Sequence, residues 1–267
     1  MLDIDLKNIK PPYLIHSDAF KTFVFIKEAH KSIKVGQDAL SLHFNFLCKL
    51  FDKSNIILPS FNYDFSKTKI YNVKSTSSQV GSLTNFVLKN NLLQRTKTPI
   101  FSFLTNIPDL LIEHNFPFSS GSVFDFIHRN DGSIVFYGTE ISSCTFLHFV
   151  ESQYGPPKYR YDKKLTGTIT NDHSTNPTFV EFHVRPFGIK LDYNWNFLFK
   201  LLSDKRVIHR LSNNFFAIKA RDLSNIWGSY FVKNQFDILS IDTKEIIFKK
   251  FISVGRRFTQ KDFEIVL

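Results

Sequence analysis

Cysteine is scarce in this sequence, which has two, Cys48 and Cys144, among 267 residues. Two cysteines are too few for the framework of a disulfide-stabilised secreted domain. No stretch approaches about 18 uninterrupted apolar residues, so no transmembrane helix is predicted. Asp3, Asp5 and Lys7 interrupt the apolar run that a signal peptide requires. These absences predict a cytoplasmic protein.

The sequence also lacks the short motifs of several enzyme classes. Its nine histidines are spread out, with no His-x-x-x-His or Cys-x-x-Cys spacing, so we predict no metal site. There is no glycine-rich phosphate loop ending in Gly-Lys. There is no Gly-x-Ser-x-Gly turn, so a serine hydrolase is unsupported.

Basic residues outnumber acidic ones, and the formal net charge is +10. They are scattered, with short pairs such as Lys163-Lys164, Lys249-Lys250 and Arg256-Arg257. A nucleic-acid-binding protein usually concentrates its positive charge in a stripe or tail. The scatter therefore favours a field that attracts small anionic ligands. A basic nucleic-acid-binding protein is an alternative function. Strongly salt-dependent affinity for duplex DNA would favour it.

Strand-like and helix-like segments alternate along the chain, which is typical of an α/β fold. Strands are predicted at 13–16, 55–58, 99–104, 134–137, 158–169 and 215–219. Helices are predicted from residue 17 or 18, and at 36–51, 80–89, 109–114, 122–128, 192–202 and 221–232. Residues 170–177 are predicted as a polar loop. We expect a central, mostly parallel or mixed sheet flanked by helices in residues 1–240, with a smaller C-terminal extension, 241–267, packed on it.

The segment after the strand at 134–137 contains the most informative pair of residues. A turn at Gly138 leads into a helical pattern in which His148 and Glu151 are three residues apart, and therefore on one face. A histidine can accept a proton near neutral pH, and a nearby carboxylate can orient its ring. The spacing alone also fits a partly buried histidine beside a surface glutamate.

Seven short segments, in order, resemble the aminoglycoside 3-N-acetyltransferase family, roughly over residues 12 to 165. They are Tyr13-Leu14-Ile15-His16-Ser17, Val35-Gly36-Gln37-Asp38-Ala39, Leu58-Pro59-Ser60-Phe61, Val80-Gly81-Ser82-Leu83, Arg95 to Phe103, Gly121-Ser122-Val123 and the Thr145, His148, Glu151 signature.

The resemblance implies an α/β acetyltransferase that uses acetyl-CoA, whose phosphates would be attracted by a basic chain. It implies that His148 is the general base, that Glu151 belongs to the same site, and that Thr145 contacts the thioester, the histidine or the backbone. Thr145 could instead cap its helix. The resemblance further implies that four residues lie near the cofactor: His16, Ser17, Gly36 and Ser102.

Three positions depart from the family pattern. Thr98 replaces a histidine, Asn85 replaces a glutamate and Val123 replaces a proline. We predict that Asn85, Thr98 and Asp64 contact the acceptor. Because the chain is basic while aminoglycosides are polycations, we predict an amino sugar linked to a nucleotide or a glycan precursor, as in surface-polysaccharide biosynthesis. The alternatives are an aminoglycoside acceptor, as in antibiotic resistance, and a non-catalytic relative that binds coenzyme A. A homo-oligomer is compatible with the sequence.

Direct transfer of the acetyl group requires no covalent acyl-enzyme. Cys144 lies four residues before His148 and suggests a competing route through a thiol nucleophile.

Overall fold

The computed structural model describes residues 4–22, 37–171 and 174–264. Its strands are β1 Tyr13–Ser17, β2 Ile56–Pro59, β3 Ile70–Asn72, β4 Gln94–Arg95, β5 Phe103–Thr105, β6 Ser133–Tyr137, β7 Tyr161–Thr170, β8 Thr175–Val184, β9 His209–Ser212 and β10 Phe215–Lys219. Its α-helices are α1 Gln37–Phe51, α2 Phe65–Thr68, α3 Ser82–Lys89, α4 Val123–Arg129, α5 Phe146–Gln153, α6 Trp195–Asp204, α7 Ala220–Asn234 and α8 Ile241–Val254. Short 3₁₀ turns occur at Lys53–Asn55, Pro108–Leu110, Ile141–Ser143 and Gln260–Asp262.

A seven-stranded mixed sheet, in the order β4-β5-β2-β1-β6-β10-β9, forms the centre of the protein. The strand β1 lies parallel to both β2 and β6, whereas β5 and β10 run antiparallel to their neighbours. Both faces of the central strands are buried, which is why β6 reads as an uninterrupted apolar run, Ser-Ile-Val-Phe-Tyr. The predicted α/β fold with a mixed sheet flanked by helices is confirmed.

Successive side chains of the central strands enter two different hydrophobic layers. In β6, Ile134 and Phe136 join a cluster with α4, α5, α6 and α7. Val135 and Tyr137 face the other way and join a cluster with α1 and α3. The helix α5 therefore lies against one face of the sheet, directly after the strand that precedes it.

A second sheet of three strands, in the order β3-β7-β8, lies beside α5. The long hairpin of β7 and β8 pairs continuously from Tyr161 opposite Val184 to Thr170 opposite Thr175. Buried residues of this hairpin, such as Leu165 and Val180, belong to the same hydrophobic cluster as α5. The hairpin thus forms one wall of the space above the helix.

The C-terminal residues pack on the beginning of β7. The ring of Phe263 stacks on Tyr161 with 5.7 Å between centroids, and Arg257 forms two hydrogen bonds of 2.7 and 2.8 Å with Asp162. Glu264 accepts hydrogen bonds from Tyr161 and Lys163. The contacts agree with an extension that packs on the main domain, while the domain boundary at residue 240 stays a prediction.

Several sequence-based predictions of elements were wrong. The polar segment 170–177 enters the strand β8 at Thr175, because its threonines suit a strand that pairs with β7. The predicted strand at 99–104 begins only at Phe103, since Ile100 adopts a positive φ of 68° that no strand accommodates. The helix predicted at 109–114 is a single turn, Pro108–Leu110. The helix predicted after Ser17 lies mostly outside the described residues, and residues 19–22 form turns.

The described helices include none that is both long enough and apolar enough to cross a membrane.

Gly138 ends β6 and offers a test of how the strand turns toward α5. Its φ is +73°, and an added Cβ would lie 2.5 Å from the carbonyl oxygen of Asp18 and 2.6 Å from Thr22 Cγ2. We expect Gly138→Ala to lower the free energy of unfolding by about 2–4 kcal/mol, because strain and a backbone clash add. Gly255→Ala is the matched control, since Gly255 has φ +69° with open space around it, and should cost about 1 kcal/mol. Urea denaturation measures both losses. An equal loss of unfolding free energy in Gly138→Ala and Gly255→Ala would contradict the proposed clash.

Candidate active site

The site lies at one edge of the central sheet. The parallel strands β1 and β6 end side by side, with Ser17 paired with Tyr137. The chain leaves β6 through Gly138 and the 3₁₀ turn Ile141–Ser143 before entering α5. Ligands of open α/β sheets bind outside the carboxyl ends of such strands. The buried residues Phe146, Leu147, Phe149 and Val150 anchor α5 and leave one of its faces toward this edge.

His148 and Glu151 meet on this helix, as their spacing predicted. The Nδ1 of His148 lies 3.0 Å from Oε2 of Glu151. An ionised carboxylate only accepts hydrogen bonds, so Nδ1 must carry the proton and Nε2 keeps its lone pair. Burial lowers the pKa of His148, because its effect outweighs that of the hydrogen bond that Nδ1 donates to Glu151. The imidazole is therefore neutral at neutral pH and has one basic nitrogen available.

The Glu151 carboxylate is completely buried and is held from several directions. The hydroxyls of Tyr159 and Tyr193 each donate to Oε1 over 2.6 Å. The guanidinium of Arg160 has its Nε 3.4 Å from Oε2, and its terminal nitrogen donates to the Tyr193 hydroxyl over 2.6 Å. Burial acts to raise the pKa of Glu151, but the charge of Arg160 and the hydrogen bond from His148 hold that pKa well below its usual range. The carboxylate therefore stays charged.

A second histidine, His183 of β8, approaches the same carboxylate. Its Nε2 lies 3.3 Å from Glu151 Oε2 but outside hydrogen-bond geometry, and its Nδ1 lies 3.2 Å from the Ser152 hydroxyl. Burial lowers the pKa of His183 to about 4, so this ring is also neutral. The sequence did not predict these partners of Glu151. His183 and Tyr193 are distant from the helix in the chain, and Tyr159 and Arg160 follow it closely but belong to no recognisable motif.

The nitrogen and oxygen atoms of His148, Glu151 and His183 lie within 4.8 Å of one another, a spacing that could hold a metal ion. However, Arg160 already places a cation beside the shared carboxylate, and Tyr159 and Tyr193 occupy its other oxygen. A bound metal would have to displace or approach that guanidinium. The arrangement is that of a buried hydrogen-bond network around a carboxylate.

A cleft of about 790 Å³ opens over His148. Its walls come from the 63–66 and 100–118 segments, α5, β7 and the stretch 182–193 that follows the hairpin. Aromatic residues such as Tyr63, Phe118 and Phe187 supply much of the lining. This volume and mixed lining suit a small polar ligand with apolar surfaces.

Thr145 also lines the cleft, one turn before His148. It occupies the N-cap position of α5, but its side chain makes no capping hydrogen bond. Its Oγ1 is buried and has no hydrogen-bond partner among the described residues. The Thr145 side chain therefore does not cap the helix, so the capping alternative is wrong, and its buried hydroxyl is an unpaired donor beside the cleft.

Of the four residues predicted near the cofactor, two lie at the carboxyl edge of the sheet. His16 and Ser17 lie at the carboxyl edge, and the buried Nε2 of His16 has no partner among the described residues. Ser102 does not face the cleft; its hydroxyl accepts from Arg95 Nε over 3.0 Å and donates to the Ser60 carbonyl over 2.6 Å. Gly36 lies outside the described residues.

The residues predicted to contact the acceptor do not line this cleft. The Asn85 side chain bonds the backbone of Ser78 at both its ends, over 3.0 and 2.7 Å, and so braces the turn before α3. Thr98 is buried, and Asp64 is exposed at the start of α2 beside the cleft residue Tyr63. A role in binding the acceptor stays a prediction for these three residues.

The aminoglycoside 3-N-acetyltransferase family matches the chain over residues 54–217, which is more than half of its length. The chain belongs to this family. The predicted family and the predicted class of enzyme, an N-acetyltransferase, are thereby confirmed. A search of curated protein sequences found no match.

Solved structures share the family fold at low sequence identity. Aminoglycoside acetyltransferase AAC(3)-IVa is 14% identical with a TM-score of 0.60, over 90% of this chain and 92% of that chain. YokD from Bacillus subtilis is 12% identical with a TM-score of 0.63, over 86% and 95%. AAC-IIIb, solved with CoASH, is 10% identical with a TM-score of 0.62, over 86% and 92%. At these identities the likeness shows the fold alone.

Cys144 is buried, and burial raises the pKa of its thiol to about 12. A neutral thiol is a poor nucleophile, so we expect Cys144→Ala to keep most of the activity. No acetyl adduct should appear when the protein is mixed with acetyl-CoA in the absence of an acceptor. Mass spectrometry of the intact protein measures this. A stoichiometric adduct that disappears in Cys144→Ala would establish the thiol route instead.

Proposed function

We propose that this protein transfers the acetyl group of acetyl-CoA directly to an amine of an amino sugar, with His148 as general base. The observation that carries the proposal is the neutral His148 ring in the cleft, held through Nδ1 by the buried Glu151 carboxylate. A cytoplasmic location is part of the same proposal.

The co-substrate is acetyl-CoA, as the sequence predicted, and the neighbour AAC-IIIb was solved with CoASH. The described residues offer groups that suit a thioester at the sheet edge. The unpartnered hydroxyl of Thr145 could donate to the thioester oxygen, and the edge residues His16 and Ser17 lie where the carrier arm could enter. Residues 23–36, which include Gly36, lie outside the described part of the chain.

In the proposed reaction, the amine nitrogen attacks the carbonyl carbon while His148 Nε2 accepts a proton from the nitrogen. The imidazolium that forms is stabilised by Glu151, which already accepts the Nδ1 proton. Thr145 Oγ1 stabilises the negative charge that develops on the carbonyl oxygen. The carbon–sulfur bond then breaks, and the proton held by His148 passes to the leaving thiolate. The products are the amide and free CoA, and the base is regenerated.

Two acceptor classes follow from different observations. The comparisons favour an aminoglycoside, since AAC(3)-IVa was solved with a gentamicin and with apramycin, and AAC-VIa with sisomicin. The net charge of +10 favours a nucleotide-linked or glycan-precursor amino sugar, because a basic protein repels a polycation. Both acceptors use the same base and the same direct transfer.

Replacement of the base tests the proposed chemistry. We expect His148→Ala to lower kcat by about 10²–10⁴-fold while binding of CoA, measured by calorimetry, is kept. His209→Ala is the control, because His209 lies on the edge strand β9 and outside the cleft. Turnover of His148→Ala close to that of the control would remove His148 from the mechanism.

The pH profile gives a second test of the same group. Because His148 acts as the neutral base and its pKa is lowered, activity should be lost only as the pH falls below its ordinary value of 6.5. Above that value the histidine is neutral and its contribution is constant. A second pH-dependent step in the activity profile should come from the acceptor amine. The pH of this step should change when acceptors of different amine pKa are compared. An acid limb above 6.5 that stays fixed across acceptors would contradict the assignment.

A further inference from the structure

We propose that Arg185 forms an anion-binding subsite in the cleft, and that the acceptor amino sugar therefore carries a phosphate or a carboxylate. This inference rests on the proposed function, since it concerns the acceptor of the same reaction.

Arg185 lies immediately after β8 and lines the cleft that contains His148. It follows His183 by two residues, a separation of about 7 Å along an extended chain, and His183 contacts the Glu151 network. The charge of Arg185 acts on both His148 and Tyr63, and all three residues line the same cleft. An anion bound there would sit within a sugar's length of the reacting amine.

The other cations of the cleft already have counter-ions. Lys163 bonds Glu264, Lys190 lies 3.6 Å from Asp192, and the buried Arg160 lies beside Glu151. Arg185 is exposed to solvent and has no hydrogen bond or ion pair with any described residue. Among the described residues of this wall, it is thus the cation that is free to bind a ligand. A planar guanidinium matches the oxygens of a phosphate or carboxylate in a two-point contact.

The carboxylate that lines the cleft already has hydrogen-bond partners, so it is not free to bind a polycation. Glu264 is the carboxylate among the described lining residues, and Tyr161, Lys163 and Gln260 all donate to it. Asp162, which follows the lining residue Tyr161, is paired with Arg257. A polyammonium acceptor would find no free carboxylate in the described lining, whereas an anionic acceptor would find a free guanidinium.

Exposed aromatic surface lies next to this cation. Phe187, two residues after Arg185, is 73% exposed, and Tyr63 is 48% exposed. Both line the cleft. Large aromatic side chains left open to solvent in a cleft provide apolar area for a ligand, while a few polar groups fix its orientation. A sugar ring or a nucleobase on these rings would leave its charged substituent at Arg185.

The test compares one amino hexose with and without a phosphate, the corresponding amino uronic acid, a nucleoside-diphosphate-linked amino sugar and gentamicin. We expect a phosphate or carboxylate to raise kcat/KM by about 10–100-fold over the neutral sugar, mainly through KM. Arg185→Ala should bring the ratio of kcat/KM for the charged sugar to kcat/KM for the neutral sugar close to one, while Arg185→Lys should keep part of that ratio. Lys190→Ala is the control, because it removes a paired cation from the same cleft. It should change kcat/KM for the charged sugar less than about threefold.

Binding separates the outcomes. Calorimetric titration of the phosphorylated amino sugar into the His148→Ala protein measures binding at the subsite without turnover. Adding Arg185→Ala to this protein should abolish the binding. Equal affinity of the single and the double variant would overturn the subsite. Gentamicin used better than every anionic sugar, and equally well by Arg185→Ala, would overturn the inference and leave the proposed acetyl transfer intact. Binding of the anionic sugar through Arg185 without any acetyl transfer would instead retain the subsite and reject the proposed function.

Discussion

The buried carboxylate of Glu151 is the constraint around which the site is organised. It receives the His148 ring and the hydroxyls of Tyr159 and Tyr193, and it lies beside Arg160. These donors come from α5, from the segment before β7 and from the segment before α6. Removing the charge would leave Arg160 buried without its partner, a change that typically costs about 3–5 kcal/mol. One side chain thus fixes the tautomer of the base and also ties separate parts of the chain together.

The surroundings of this carboxylate explain how one helix turn can hold a working base. Burial lowers the pKa of His148, so the ring is neutral, while Glu151 remains charged because Arg160 and hydrogen bonds outweigh its desolvation. Their environments therefore keep the His148 ring neutral and the Glu151 carboxylate charged, as general-base chemistry requires. The hairpin of β7 and β8 brings the remaining donors and the wall of the cleft over the helix.

Local patterns in the sequence predicted the centre of the fold and the core of the site. The apolar run of β6, the turn at Gly138 and the three-residue spacing of His148 and Glu151 are all encoded within one short segment, and the structure keeps them together. The partners of Glu151 could not be predicted in this way, because Tyr193 and His183 reach it only after the chain has formed the second sheet. The family resemblance predicted Ser102 near the cofactor. Its hydroxyl bonds the backbone of Ser60 and the buried Arg95, and a role in cofactor binding stays a prediction.

The tautomer of His148 is the most direct test of this account. Nitrogen-15 NMR of protein labelled in histidine, with His148→Gln used to assign the signal, reports which ring nitrogen carries the proton. The account predicts a neutral ring at neutral pH, with the proton on Nδ1 facing Glu151 and an unprotonated Nε2. A proton on Nε2, or a doubly protonated ring at that pH, would contradict the assignment of His148 as the base.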